Sequence, residues 1–419
     1  MKESRELEYK ENTKSTTFLK TVSAFANYSG GKIIFGIKDD GTVCGLNDPR
    51  SASLDIENRI NDSIQPVPEY ALDIAEDGTV CLTIWEGRYK PYLYRGKAYK
   101  RHDTATVEVG RMEYNRLILE GENQSFEELP AEKQELNFSW LEKEFQQELG
   151  IEKLSLDILK TLELYTEQTG YNHAAELLAD QNDFKGIELV RFGRNIDEIL
   201  YRESFTGISI LEQFHKTIQT FLMFYQYEKI EGSKRRTVTR IPEKAFREAI
   251  ANALIHRMWD VDAAITVSMF DDRVEVRSPG GLPAGISEEE YLNGQISILR
   301  NPIIGNVFFR LKYIEKFGTG ILRIKQAYAK TMKKPNFRVF ENSILVVLPV
   351  CDQQVNLTDS ERRVVKVLES KNTLSRAELS LETGLGRDQT LRILNRLIDK
   401  NVIEKEGTGR GTKYRLTDG

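Results

Sequence analysis

Cysteine is scarce: three residues in 419, Cys44, Cys81 and Cys351, lie far apart and form no Cys-x-x-Cys pair. Neither a disulfide framework nor a zinc ribbon is indicated. No stretch approaches the roughly 18 consecutive apolar residues that a membrane span needs. The start, MKESRELEYK, is charged from its second residue, unlike a secretory signal. These absences predict a cytoplasmic chain with no membrane partner. The Gly-x4-Gly-Lys-Ser/Thr loop is missing, which disfavours a helicase built on a P-loop. An excess of positive charge is missing too: 59 Lys and Arg stand against 64 Asp and Glu, a net charge of −5. Any nucleic-acid contact must therefore be a local patch. There is no internal repeat and no low-complexity tract.

What is present reads as an α+β multidomain chain, since domains hold about 100–200 residues each. Phe18, Val22 and Phe25 recur at helical spacing, and after Asn27-Tyr28-Ser29-Gly30-Gly31 comes an apolar strand at 33–37 and a tight turn, Asp39-Asp40-Gly41. Further strands at 43–46, 71–74, 80–85 and 92–100 complete an α+β unit over 1–125. Residues 122–135 are acidic and contain Pro130, the signature of an exposed linker. A helical connecting region is expected over 126–230, with a strand-like stretch at 187–192. It carries an apolar stripe, Phe214, Ile218, Phe221, Leu222 and Tyr225, that serves either core packing or a subunit contact. An α/β rhythm follows over 231–350: a helix at 244–256, strands at 264–270 and 273–276, a helix after Gly320 and a strand at 343–348.

Residues 356–419 predict a winged helix-turn-helix. Thr358-Asp359-Ser360-Glu361 has helix-capping chemistry, a second helix begins near Ser375, and Gly384-Leu385-Gly386 is a compact turn. A third helix from Arg387 presents Arg387, Gln389, Thr390, Arg392 and Arg396, residue types that read base edges in a groove. A two-stranded wing with Arg410 and Lys413 follows. Thirteen Lys and Arg against ten Asp and Glu make this unit mildly basic on an acidic chain.

Within 231–350, Glu248, Asn252 and His256 fall at i, i+4 and i+8, a polar stripe on an apolar helix. An Asn oxygen can hold Mg, which bridges nucleotide phosphates, while a carboxylate one turn away orients water. Gly318-Thr319-Gly320 precedes a helix, where free amides favour phosphate. Residues 245–257, 272–276, Ser278-Pro279-Gly280-Gly281-Leu282-Pro283, Arg300-Asn301-Pro302 and Ile314-Glu315-Lys316-Phe317-Gly318-Thr319-Gly320 resemble the GHKL-type ATP-binding domain of a RecG-related C-terminal family. The resemblance implies a GHKL-like α/β sandwich that binds ATP, with Glu248 and Asn252 at the Mg and water position and Gly280, Gly318 and Gly320 near the nucleotide. Related ATPases carry an Asp-x-Gly-x-Gly box whose aspartate reads adenine. Ser278-Pro279-Gly280-Gly281 stands there instead, which implies binding without fast turnover.

The N-terminal unit resembles the Schlafen AlbA-like domain through Leu7-Glu8-Tyr9-Lys10, Ala24-Phe25-Ala26-Asn27, Gly30-Gly31-Lys32-Ile33-Ile34-Phe35-Gly36-Ile37, Asp39-Asp40-Gly41 and Gly45-Leu46. That resemblance implies nucleic-acid binding, with Lys10, Lys32, Lys100 and Arg101 on the backbone of DNA or RNA. It also offers an alternative, a metal-dependent ribonuclease using Glu3, Glu8 and Asp39 with Mn or Mg. The three domains together, in this order, resemble a family of predicted bacterial transcriptional regulators. The expected function is DNA binding modulated by ATP, in a homodimer or higher homo-oligomer.

Overall fold

The computed structural model describes residues 3–38, 40–231, 234–283, 286–294, 298–315, 318–329, 331–351, 357–400, 402–407 and 409–416, the side chains of 231 and 410 excepted. The helix Phe18–Asn27 forms where the spacing of Phe18, Val22 and Phe25 predicts it, and all three are sealed from solvent. It links Leu7–Lys10 to Gly31–Phe35, which pair in parallel with Leu7 opposite Lys32, the case that requires a crossover connection. Val80–Ile84 and Tyr70–Ile74 extend the sheet antiparallel. The strand expected at 43–46 shrinks to one bridge, Ile37 with Val43. Gly36 and Gly45 take φ of 92° and 65° on either side, which breaks extended pairing.

Residues 122–135 are largely exposed, as expected, but the segment is anchored in the interior. Glu127 is fully buried, and its carboxylate accepts the backbone N–H groups of Ile303 (2.5 Å) and Ile304 (3.0 Å) in the first turn of Pro302–Arg310. Those donors have no partner inside their own helix, and the carboxyl oxygens supply one. Phe126 beside it stacks on His173, ring centroids 4.5 Å apart.

Nor is 126–230 a separate connecting region. Its strands Ile187–Phe192 and Ile199–Phe205 belong to a six-stranded sheet in the order Ile199–Phe205, Ile187–Phe192, Ile265–Met269, Arg273–Pro279, Ser343–Pro349, Asn336–Phe340. Ile187–Phe192 and Ile265–Met269 run parallel and bridge the expected boundary at 231. Packing erases that boundary as well. The helix Ile210–Tyr225 lays Phe221 on Phe246 of Glu243–His256, centroids 4.0 Å apart, both fully buried. One continuous core runs from Phe138 to Val350. The stripe from Phe214 to Tyr225 is thus core packing.

At the C-terminus, the helices Asp359–Lys371, Arg376–Thr383 and Arg387–Asp399 pack on a three-stranded antiparallel sheet with Lys413–Leu416 between Thr373–Ser375 and Ile403–Glu406. Capping boxes, Thr358 with Glu361 and Ser375 with Glu378, start the first two helices, and Gly384 at φ 68° ends the second. Val364, Leu368, Leu379, Leu394 and Leu397 form the core. Among the described residues no helix is long and apolar enough to cross a membrane.

Candidate nucleotide site

The helix Glu243–His256 buries Ala245, Phe246, Ala249, Ile250 and Leu254. Its residues four apart, Glu248, Asn252 and His256, line one cavity. About 90 Å³ of this cavity is open to water-sized spheres, inside about 980 Å³ of atom-free space that includes its open mouth. Gly280, Gly318 and Gly320 line it too, so six residues spread over 73 positions stand around one space.

Gly320 opens the helix Gly320–Ala327, and a Cβ at that position would lie 2.5 Å from Asn252 Nδ2 and 2.7 Å from Glu248 Oε1. A larger residue would force the two side-chain ends aside, so Gly320 lets the start of this helix, with its N-terminal N–H groups, approach them as they stand. Gly318 takes φ 62°, a left-handed backbone that favours glycine. Burial pushes the Glu248 carboxyl up, opposed by Arg323, Lys244 and a hydrogen bond from Asn252. Arg323, one turn along from Gly320, is held by Thr319 Oγ1 and Glu315 at 3.2 Å each. No periodicity or spacing points to Arg323 as a neighbour of Glu248, because the two lie on different helices. Hard oxygen donors beside free amides fit Mg and a polyphosphate: Asn252 and Glu248 would hold the cation, Gly318 and Gly320 the phosphates. Bound there, Mg would neutralise phosphate charge.

The other end of the stripe lies about 12 Å away, for eight residues of helix. Val276, Ile344 and Val346, on the paired strands that include Ser278, add apolar walls to the cavity. Ser278, at the position of the missing aspartate, donates its hydroxyl to the Ala253 carbonyl at 2.9 Å. Arg300 spans this end, donating from Nη1 to the His256 carbonyl (2.9 Å) and from Nη2 to the Gly281 carbonyl (2.8 Å). Gly280, at φ 106°, leaves it room, since a Cβ there would collide with Nη1. Burial and the Arg300 charge push the His256 imidazole down to about 4. Asn301 donates to the carbonyls of Ile255 (2.6 Å) and Arg257 (2.9 Å), satisfying a helix end that has no partners of its own. Arg300 and Asn301 therefore staple the end of the Glu243–His256 helix, a role invisible in their spacing.

In the N-terminal unit Glu8 is buried, and its carboxylate already holds Lys10 (2.7 Å), Arg101 (2.6 Å) and the Thr21 hydroxyl (2.7 Å). Glu3 accepts the Tyr9 N–H at 2.9 Å. Asp39 lies outside the described residues. A divalent ion at Glu8 would have to displace two cations. Arg101 is not a surface group: it is 6% exposed and donates to Glu8, Thr106 and the Ser4 carbonyl, which corrects the expectation that it meets a phosphate backbone. Lys100 pairs with Glu113 at 2.7 Å, and Lys32 is exposed.

On Arg387–Asp399 the side chains of Arg387, Gln389, Arg392 and Arg396 are exposed, as is Lys413 on the adjoining sheet. Thr390 is the exception. It is fully buried and returns its hydroxyl to the Gly386 carbonyl at 3.1 Å, so it holds the first turn and faces no groove. The Arg410 side chain lies outside the described residues. Among the described residues no three His, Cys, Asp or Glu side chains form a metal-ligand cluster.

Two family models match: "Schlafen, AlbA_2" over 3–110 and "Putative ATP-dependent DNA helicase recG C-terminal", a HATPase-type model, over 262–348. The chain thus carries an AlbA_2 domain and a HATPase-like domain, a combination that marks a nucleic-acid-related, ATP-binding protein. The second match starts well inside the six-stranded sheet, whose first strand is Ile187–Phe192. No curated protein matches the chain. Among solved structures, the crystal structure of the DIP2311 protein from Corynebacterium diphtheriae is 19% identical, with 99% of this chain and 92% of that chain covered, at a TM-score of 0.49.

Proposed function

We propose that the protein is a nucleotide-responsive transcriptional regulator. The C-terminal unit is a winged helix-turn-helix that binds DNA, and the cavity between Glu248, Asn252 and Gly320 takes ATP with Mg. The observation that carries this reading is the absence of any Cβ at Gly320, which lets a helix start come up to Glu248 and Asn252. Such an approach has a purpose when an anion and its cation bind between the groups. DNA binding is supported by Arg387, Gln389, Arg392 and Arg396, exposed on a helix whose opposite side, Ile393, Leu394 and Leu397, is buried. The N-terminal unit adds a sequence-blind grip through residues such as Lys32. Paired half-sites would be read by a homodimer.

The test is fluorescence anisotropy of the full chain on duplex DNA from its own upstream region, with and without Mg and ATP. Nucleotide is expected to change the affinity, Asn252→Ala to abolish that change, and Arg392→Ala to weaken the specific duplex more than a scrambled one. Demonstrated nucleotide binding with no effect on DNA affinity would overturn the regulatory reading. Equal losses on both duplexes would remove base reading by Arg392.

A further inference from the structure

The two ends of the cavity differ in the chemistry they offer. Glu248, Asn252 and Gly320 present charge and hydrogen bonds, whereas the paired strands along the cavity present apolar walls, with Ile344 opposite Ser278 and Val346 opposite Val276. A nucleoside polyphosphate has the same polarity along its length, phosphates at one end and a flat ring at the other. Apolar walls can stack a ring but cannot tell one base from another. The hydroxyl proton of Ser278 is committed to the Ala253 carbonyl. At this end His256 lines the cavity, and its ring has no hydrogen-bond partner among the described residues, although its own carbonyl is held by Arg300.

We infer that His256 reads the base, and that it lets the cavity take 6-amino and 6-oxo purine nucleotides, ATP and GTP, alike. This inference rests on the nucleotide reading above. A carboxylate only accepts hydrogen bonds, so it takes the amino group of adenine and repels the carbonyl of guanine. A neutral imidazole has one N–H and one lone pair, and its tautomer is free to follow the ligand: it accepts from the amino group or donates to the carbonyl. Burial keeps that choice open. With the Arg300 charge as a lesser cause, it holds the ring unprotonated at neutral pH, so the lone pair is available. The substitution of Ser278 for a base-reading carboxylate and the presence of His256 thus have one consequence, a site that discriminates weakly at ring position 6.

The experiment uses the full chain with Mg and a fluorescent methylanthraniloyl-ATP, displaced by unlabelled ATP or GTP. The wild type is expected to bind the two within about threefold of each other. His256→Leu should weaken both by about tenfold, the equivalent of one hydrogen bond. His256→Glu should keep ATP and lose GTP by at least about tenfold, and His256→Gln, which retains a donor and an acceptor, should stay close to the wild type. Thermal unfolding establishes that each variant folds; if the leucine variant does not, the Glu and Gln pair decides. A wild type that prefers ATP by about a hundredfold, or a preference that does not move with residue 256, overturns base reading by His256 while leaving the nucleotide site standing. Failure of the folded wild type to bind either nucleotide overturns both.

Discussion

His256 sits where a proton is costly. Its imidazole titrates near 4 in the folded chain against an ordinary value of 6.5. Between those two values the unfolded chain holds a proton that the folded chain does not. Stability from this residue is therefore fully present above pH 6.5 and is lost as the pH falls toward 4, by about 3 kcal/mol in all. Urea unfolding at pH 7, 5.5 and 4.5 should show this loss, and His256→Gln should show a shallower one; equal slopes would mean that the ring is protonated in the folded protein. Glu8 makes a different prediction. Both it and Arg101 are buried and paired, so removing either partner strands a charge, at about 3–5 kcal/mol. Glu8→Ala is expected to lower the unfolding midpoint in urea, and Glu8→Gln to lower it less because the amide oxygen can still accept from Arg101. An unshifted midpoint in Glu8→Ala would remove this structural role. Loss of a nuclease activity in Glu8→Ala alone would accordingly not identify Glu8 as catalytic.

At the scale of elements, Glu127 shows what a local reading of sequence misses. It lies in an acidic run, and composition there says solvated linker. Its burial is decided by the N–H groups of Ile303 and Ile304, 176 and 177 residues away. Glu127→Ala should cost about 2–4 kcal/mol by leaving those two donors unpaired in the interior. Burial pushes this carboxyl up to about 8 against the pull of the two N–H groups. The folded chain therefore keeps a proton that the unfolded chain releases above 4.5, and the contribution of Glu127 declines as the pH rises from 4.5 to 8, the opposite sign to His256. Glu127→Gln should remove that slope in the same urea series; persistence of the slope would place its origin elsewhere. What the sequence does display is short-range geometry. The i, i+4, i+8 stripe of Glu248, Asn252 and His256, the capping box at Thr358, the helix start near Ser375 and the turn at Gly384 all depend on neighbours in the chain, and each forms as expected. Thr390 belongs to the illegible part, since its type suits a groove and its position on the helix buries it. The strand Ile199–Phe205 is hidden for a related reason: as a sheet edge it is exposed along most of its length, so no run of apolar residues announces it.

For the whole molecule, the contacts between the units bear on how nucleotide and nucleic acid could influence one another. Arg116, on the helix Arg111–Gly121, donates to Asp260 at 2.5 Å, four residues beyond His256. Asp260 acts electrostatically on Arg300, the residue that grips the carbonyls of His256 and Gly281 at the His256 end of the cavity. The N-terminal unit is thus joined to the cavity wall by charged groups, not only by covalent connection. On the other side Met332 packs against the C-terminal core. If nucleotide favours one arrangement of these units, the coupling is a free energy on the order of 1–3 kcal/mol and must act equally in both directions. We expect Mg and ATP to change the affinity for random-sequence duplex by some factor, and that duplex to change the affinity for nucleotide by the same factor. Arg116→Ala and Asp260→Asn should each bring the factor toward one, and the double variant should go no further than either, because both remove one link. The measurement is a pair of titrations for each variant, duplex with and without nucleotide and nucleotide with and without duplex. A factor that survives both substitutions would route the coupling past Asp260, with the packing of Met332 as the next contact to break. Unequal factors in the wild type, measured with hydrolysable ATP and made equal by a non-hydrolysable analogue, would show that turnover, rather than binding alone, separates the two states.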